Sequence, residues 1–231
     1  MLPSLFNNTY FQLLTLLMQL QSVNVGRPRT VKWGSRTVRT AIFKDPVPGP
    51  VALERLNLAG NEQADLRVHG GPDKAVYAYA HEHYAYWATQ LPAGQLTGPG
   101  AFGENLTTSG LLEGAMRVGD EFAVGTAVLR AVQPRQPCYK LNVRFDDARM
   151  VARFMAAGRL GVYFQVLQAG VVQAGDAIEL LQTSPYSVSI QDVAELLYGG
   201  RQDAGAVREL LRIPYLPAPL RGHFQAALGG F

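Results

Sequence analysis

Cys138 is the only cysteine in the 231-residue chain, within Gln133-Pro134-Arg135-Gln136-Pro137-Cys138-Tyr139-Lys140-Leu141. Two prolines flank Arg135-Gln136, remove two backbone donors and bias the residues before them toward extended geometry. A thiol held by a stiffened loop after the alternating run Ala127-Val132, between Arg135 and Lys140, is where a thiolate is electrostatically favoured. That is the chemistry of a nucleophile or a soft metal ligand. A lone cysteine is more often a small buried hydrophobe, so the surrounding chain has to decide.

A second chemical signal is Arg67-Val68-His69-Gly70-Gly71-Pro72-Asp73-Lys74. Paired glycines reach positive φ and turn tightly, so successive amides can cradle an anion, with Lys74 and His69 supplying charge and a donor. It is not a Walker A loop, because the Gly-x4-Gly-Lys-Ser/Thr spacing is missing. Gly98-Pro99-Gly100-Ala101-Phe102-Gly103 matches the dinucleotide fingerprint only by letters: no strand precedes it and no adequate helix opens at Gly103. Asn105, just before an expected strand, is the more useful polar residue. His81 and His83 lie two apart at the start of an expected helix, so they face different directions and read as polar residues beside an aromatic core stripe. Serine-hydrolase and zincin motifs are missing.

Charge is uneven. Arg27, Arg29, Lys32, Arg36, Arg39 and Lys44 fall within eighteen residues, and no Asp or Glu precedes Asp45, although the net charge is only +3. Such a cluster can serve a compact phosphorylated anion with three or four side chains. With no recognition-helix pattern and so small an excess, a nucleic-acid partner is not expected.

These groups need a scaffold. Hydrophobic content of 48% with 17% charged residues suits a globular domain with a sizeable core. One cysteine excludes an internal disulfide framework or an all-cysteine zinc or iron–sulfur site, which fits a reducing, cytoplasmic setting. Met1 to Leu17 is uncharged and lacks a basic n-region. Asn7, Asn8, Thr9 and Gln12 interrupt it too often for a membrane span. It is read as an N-terminal extension, residues 1–17, without an assigned role.

From residue 18 to 183, short alternating runs broken by Gly and Pro predict a mostly β domain, a barrel or sandwich. The expected strands are Gln19–Val25, Val38–Phe43, Glu121–Val124, Ala127–Val132, Tyr163–Leu167 and Ala177–Leu181. Two peripheral helices are expected, over Glu82–Leu91 and over Asp146–Gly158. Residues 184–231 change character: helices capped by Ser189 and Asp203, then a third over Leu216–Leu228, make a three-helix module too small for a substantial core alone.

Together, the basic strand with Lys32, the His69-Gly70-Gly71-Pro72-Asp73-Lys74 turn, Gly100-Ala101-Phe102-Gly103-Glu104-Asn105-Leu106 and Pro134-Arg135-Gln136-Pro137-Cys138-Tyr139-Lys140 resemble the MOSC domain family. So do Gly161-Val162-Tyr163, Gly170-Val171-Val172 and Gly175-Asp176. The Cys-Tyr-Lys-Leu context and the terminal helices resemble its YiiM-like branch. The likeness covers roughly residues 20 to 228 and is looser in the terminal module.

The resemblance implies a MOSC-type β-barrel and the molybdenum cofactor, a molybdopterin with a terminal phosphate. It implies a molybdenum-dependent oxidoreductase that reduces N-hydroxylated compounds, hydroxylaminopurine-type bases among them, to amines. By the same analogy Cys138 is the catalytic residue and the protein ligand to molybdenum. Lys32, His69, Asp73, Lys74, Asn105, Arg135 and Lys140 would bind or orient the cofactor; Asp73 could equally close its own turn as an Asx acceptor. No NAD, flavin, haem or iron–sulfur motif occurs, so electrons would come from an external donor such as a flavin reductase. The terminal helices are one docking surface for it, and a homodimer is compatible with this reading. The alternative is a carrier that holds molybdenum cofactor or sulfur without turnover of its own.

Overall fold

The computed structural model describes residues 18–65, 70–201 and 203–229. The extension 1–17 and His69 lie outside the described residues.

The first half of the chain runs β1 (Gln19–Val25), β2 (Arg29–Trp33), β3 (Arg36–Thr40), β4 (Asp45–Pro46), β5 (Val51–Leu53), a 3-10 turn at Pro72–Lys74, β6 (Val76–Ala80), α1 (Glu82–Gln90) and β7 (Leu106–Ser109). A 3-10 turn at Glu113–Ala115 leads to β8 (Glu121–Val124), β9 (Ala127–Pro134), α2 (Lys140–Phe145), α3 (Met150–Ala157), β10 (Val162–Gln168), β11 (Gly170–Val172) and β12 (Ile178–Gln182). The chain closes with α4 (Ile190–Tyr198), α5 (Ala204–Leu211) and α6 (Ala218–Leu228).

Eight strands form one sheet in the order β12-β8-β9-β10-β6-β7-β1-β4. It curls back on itself: Leu20 N–H donates to Asp176 O at 2.9 Å, Ile178 N–H donates to Met18 O at 3.0 Å, and Gln19 bridges Ala177. The expected mostly β architecture holds, with the two sides of the barrel joined by a bridge rather than a continuous ladder. Strand β6 is central, antiparallel to β10 and parallel to β7.

Its sequence, Val76-Tyr77-Ala78-Tyr79-Ala80, is buried throughout because both faces are covered. Period-2 alternation sends Val76 and Ala78 into the barrel interior with Leu20, Leu106, Leu129 and Phe164. It sends Tyr77 and Tyr79 to the opposite side, into an aromatic cluster with Trp87, Phe102, Phe145 and Phe154. Trp87 Nε1 donates to Tyr79 Oη at 2.7 Å, so its polar edge is satisfied inside the cluster. Burying each such ring contributes about 1.5–3 kcal/mol.

The helix expected over Asp146–Gly158 is present but shorter, and a separate, unexpected helix, α2, precedes it. Asp146 adopts φ 47°, a left-handed stop after α2, and α3 starts only at Met150. The first of these helices was missed because Tyr139-Lys140-Leu141-Asn142 follows a proline-rich loop with no side-chain cap to announce it. The expected strand Val38–Phe43 is shorter and earlier, since Ala41–Lys44 leaves the hairpin as irregular chain.

The terminal helices match their predicted caps: Ser189 accepts from Asp192 N–H in a full capping box, and Asp203 accepts from Ala206 N–H. Val193, Val207, Leu210 and Phe224 join the same apolar cluster as the barrel interior. A Cβ on Gly119 would stand 2.0 Å from the Tyr215 hydroxyl, so the barrel presents bare backbone to the segment between α5 and α6. The module therefore packs on the barrel, and its apolar faces are used there.

Candidate functional site

The pocket forms where the β3–β4 connection, the segment before the Gly70-Gly71 turn and the loop after β9 converge. The turn behaves as its sequence demands: Gly70 and Gly71 have φ 97° and 84°, and Lys74 N–H donates to Gly71 O at 3.1 Å. Of the residues expected at the site, Lys74, Asn105, Arg135, Cys138 and Lys140 line one pocket. They come from positions up to 66 residues apart, counting from 74 to 140. Cys138 is half-buried there, and Arg135 and Lys140 are buried.

Arg135 is the best-anchored cation. It donates through Nη1 to Phe102 O at 2.5 Å, and its guanidinium lies 4.8 Å from the Tyr77 ring centre. Its own N–H donates to Gly161 O at 3.3 Å. Burial alone works against the Arg135 charge, but Tyr77, Tyr163 and Cys138 favour it, and the net direction is upward. The guanidinium therefore stays charged. Tyr77 moves the other way from reactive: burial first pushes its phenol well above the ordinary value, so it remains protonated while donating to Leu160 O at 2.8 Å.

Two expected residues are placed elsewhere. Lys32 is exposed on β2, and the pocket wall does not include it. Asp73 Oδ1 accepts from Gln165 Nε2 at 2.7 Å, and its carbonyl accepts from Gln133 Nε2 at 2.9 Å. Asp73 thus ties the turn to β9 and β10 rather than facing the pocket. Asn105 lines the pocket but spends its amide on backbone: Oδ1 accepts from Tyr77 N–H and Nδ2 donates to Asn24 O, both at 3.3 Å. It braces the strands that carry the site.

Sequence reasoning missed Lys44, which it counted only as one of a basic cluster. Lys44 lines the pocket beside Asn61, Tyr77 and Arg135, and its Nζ donates to Asn61 Oδ1 at 2.6 Å. Burial lowers its pKa to about 7, with Glu104 raising it and Arg135 lowering it further. The available signal was Lys44-Asp45-Pro46, a charge pinned by proline immediately after the apolar Ala41-Ile42-Phe43.

Glu104 carries a role that its place in the Gly100–Leu106 motif does not reveal. Completely buried, it accepts from Gly100 N–H at 2.8 Å, Phe102 N–H at 3.0 Å, Thr107 Oγ1 at 2.9 Å and the Tyr84 hydroxyl. Burial raises its pKa against those hydrogen bonds. Its work is structural: it folds the loop 100–104 so that Phe102 O reaches Arg135.

A second buried ionic group supports the same wall from behind. His83 Nε2 contacts Glu113 Oε2 at 2.8 Å, and Glu113 Oε1 accepts from Gly161 N–H at 2.6 Å. His83 is therefore a core residue rather than a surface histidine.

The donor set is chemically distinctive. Four basic side chains, Lys44, Lys74, Arg135 and Lys140, share a pocket with one thiol, Cys138, and one carboxylate, Glu62. Among the described residues no group of three His, Cys, Asp or Glu side chains could hold a bare metal ion. A metal at Cys138 would have to arrive carrying its own ligands on an anionic scaffold.

This barrel with a cationic, thiol-bearing pocket is that of a MOSC domain: the family model for the MOSC domain matches residues 65–179, and the chain belongs to that family. Residues 188–228 match the YiiM-like 3-alpha helix domain, which places the chain in the YiiM-like branch. It is 41% identical over 160 residues to the protein YiiM of Escherichia coli strain K12, covering 69% of this chain and 71% of YiiM. The crystal structure of YiiM from Geobacillus stearothermophilus superposes with a TM-score of 0.76 at 36% identity, covering 91% of this chain and 99% of that one. A Gibberella moniliformis protein named "Reductase" is 33% identical over 197 residues. The match takes in 84% of this chain but only 35% of that protein.

Proposed function

We propose that this chain binds the molybdenum cofactor in the Cys138 pocket and reduces N-hydroxylated compounds, of the hydroxylaminopurine type, to amines. The observation that carries the reading is the convergence of one thiol with Lys44, Lys74, Arg135 and Lys140. The residues fit such a group: Lys74, Arg135 and Lys140, with Lys44 as a fourth basic group able to take up a proton, match a phosphorylated, anionic pterin, and a soft thiolate suits a molybdenum ion already held by dithiolene sulfurs. Membership of the MOSC family and the reductase name of the fungal relative support the same direction.

When bound, the cofactor supplies a two-electron redox centre. Two electrons and two protons convert N–OH to N–H and water, with the electrons coming from an external flavin reductase. The chain's own residues would hold the cofactor and balance its charge. Arg135 offers a planar fork whose orientation Phe102 O and the Tyr77 ring fix, while Lys74 and Lys140 act as point charges. Lys44, titrating near neutrality, can hold or release a proton at Nζ at the pocket wall.

The test compares wild type with Cys138→Ser, purified anaerobically from a cofactor-competent host, by elemental analysis and by amine formation from a hydroxylaminopurine with reduced viologen. Near-stoichiometric molybdenum and turnover in wild type, both lost in the variant, is the expected result. Metal without turnover returns the protein to a carrier role, and no metal in either protein sinks the proposal.

A further inference from the structure

A second concentration of positive charge lies outside the pocket. Strands β2 and β3 pair in full register, Arg29 with Thr40 through Trp33 with Arg36, and form a two-stranded sheet of their own. Val38 and Thr40 turn inward, while Arg29, Lys32, Arg36, Thr37 and Arg39 are exposed. No carboxylate lies on the ribbon.

Its base is fixed to the pocket rim. Arg39 Nη1 donates to Ala64 O at 3.2 Å, and the Arg29 guanidinium stacks 3.7 Å from the Phe43 ring centre. Ala64 lines the pocket, as do Thr40, Ala41 and Ile42 at the end of the ribbon. A partner seated on the ribbon is therefore held at the mouth of the pocket.

We infer that the β2–β3 ribbon is the docking surface for an acidic, flavin-bearing electron-transfer protein; the inference rests on the proposed reductase reading. That reading requires electrons from outside the chain, and delivery requires the donor to sit over the Cys138 pocket. A cationic rim selects a carrier with a carboxylate-rich face and raises its association rate by steering. The terminal helices are poorer candidates, since their apolar faces are packed on the barrel. A second copy of the chain is disfavoured on this face, because two cationic ribbons repel.

The test uses full-length protein and a purified acidic flavodoxin-type FMN protein as the probe. Binding is measured by titration calorimetry at low and at physiological ionic strength, for wild type, for Arg36→Glu/Thr37→Glu, and for Arg208→Glu on α5 as a control. Flavodoxin-driven and viologen-driven turnover are measured in parallel. The inference predicts binding that weakens with salt, about tenfold weaker binding and flavodoxin-driven kcat/KM in the double variant, and viologen-driven turnover within about twofold of wild type. Equal binding by wild type and double variant overturns it, as does an effect of Arg208→Glu as large as that of the double variant. Tight binding of a single-stranded oligonucleotide, with none of the flavodoxin, overturns it in favour of a nucleic-acid surface. Loss of viologen-driven turnover in wild type defeats the reductase reading instead, and the calorimetry still judges the ribbon.

Discussion

The Lys44 ammonium donates to Asn61 Oδ1 at 2.6 Å, and the Asn61 amide in turn donates to Asn57 Oδ1 at 2.6 Å. The same Asn61 oxygen accepts from Gly26 N–H at 3.1 Å, so a lysine in the pocket is positioned by a network that also pins the end of β1. Neutral acceptors orient this lysine without neutralising it, which leaves burial to set its acidity.

The first prediction follows from that acidity. Burial lowers the Lys44 pKa from 10.5 to about 7, so between those values the unfolded chain binds a proton that the folded chain lacks. Stability of the cofactor-free protein should rise with pH across that window, relative to Lys44→Met. Thermal unfolding of both proteins from about pH 7 to about pH 10 checks the slope. Parallel curves for the two proteins would refute it.

The loop holding Arg135 should depend on Glu104. Glu104→Ala leaves the Gly100 and Phe102 amides without their acceptor, and an orphaned buried donor costs about 1–3 kcal/mol. We expect a total loss of about 3 kcal/mol in urea unfolding, together with weaker binding of inorganic phosphate. Unchanged stability would mean that other groups hold the loop.

Glu113 makes an acid-side prediction. Burial raises its pKa, but the hydrogen bond and charge of His83 outweigh burial, and the net direction is downward. Its contribution is therefore present above the ordinary carboxylate range and lost as pH falls through the depressed value. Glu113→Ala should cost about 1–3 kcal/mol near neutrality, because it leaves the buried Gly161 N–H and the His83 ring nitrogen without their partner. Its stability should also fall less than that of wild type on acidification, which urea titrations at several pH values measure.

Gly161 is a steric keystone between the His83–Glu113 contact and the pocket. It has φ 70°, and a Cβ there would stand 2.5 Å from Ala78 O. Gly161→Ala should destabilise by about 2–4 kcal/mol, while Gly158→Ala, open by comparison, should cost about 1 kcal/mol. Similar losses at both positions would show that φ alone, not contact with β6, sets the cost.

Much of this protein can be read along the chain. The caps Ser189 and Asp203, the paired glycines 70–71 and the alternation in β8 to β10 are local, because turn chemistry and side-chain period act over a few residues. The same locality exposes Cys138, Arg135, Lys140 and Lys74, each flagged by prolines or glycines that stiffen or bend its own loop. Tertiary structure decided the rest, since pocket membership depends on which distant segments the sheet brings together. Lys32 and Lys44 belong to one basic run, yet the β2–β3 hairpin carries the first onto a surface ribbon while the chain after β3 brings the second into the pocket. Asp73 and Glu104 became braces for the same reason: a carboxylate takes its role from the amides that reach it, and those lie on other strands and turns.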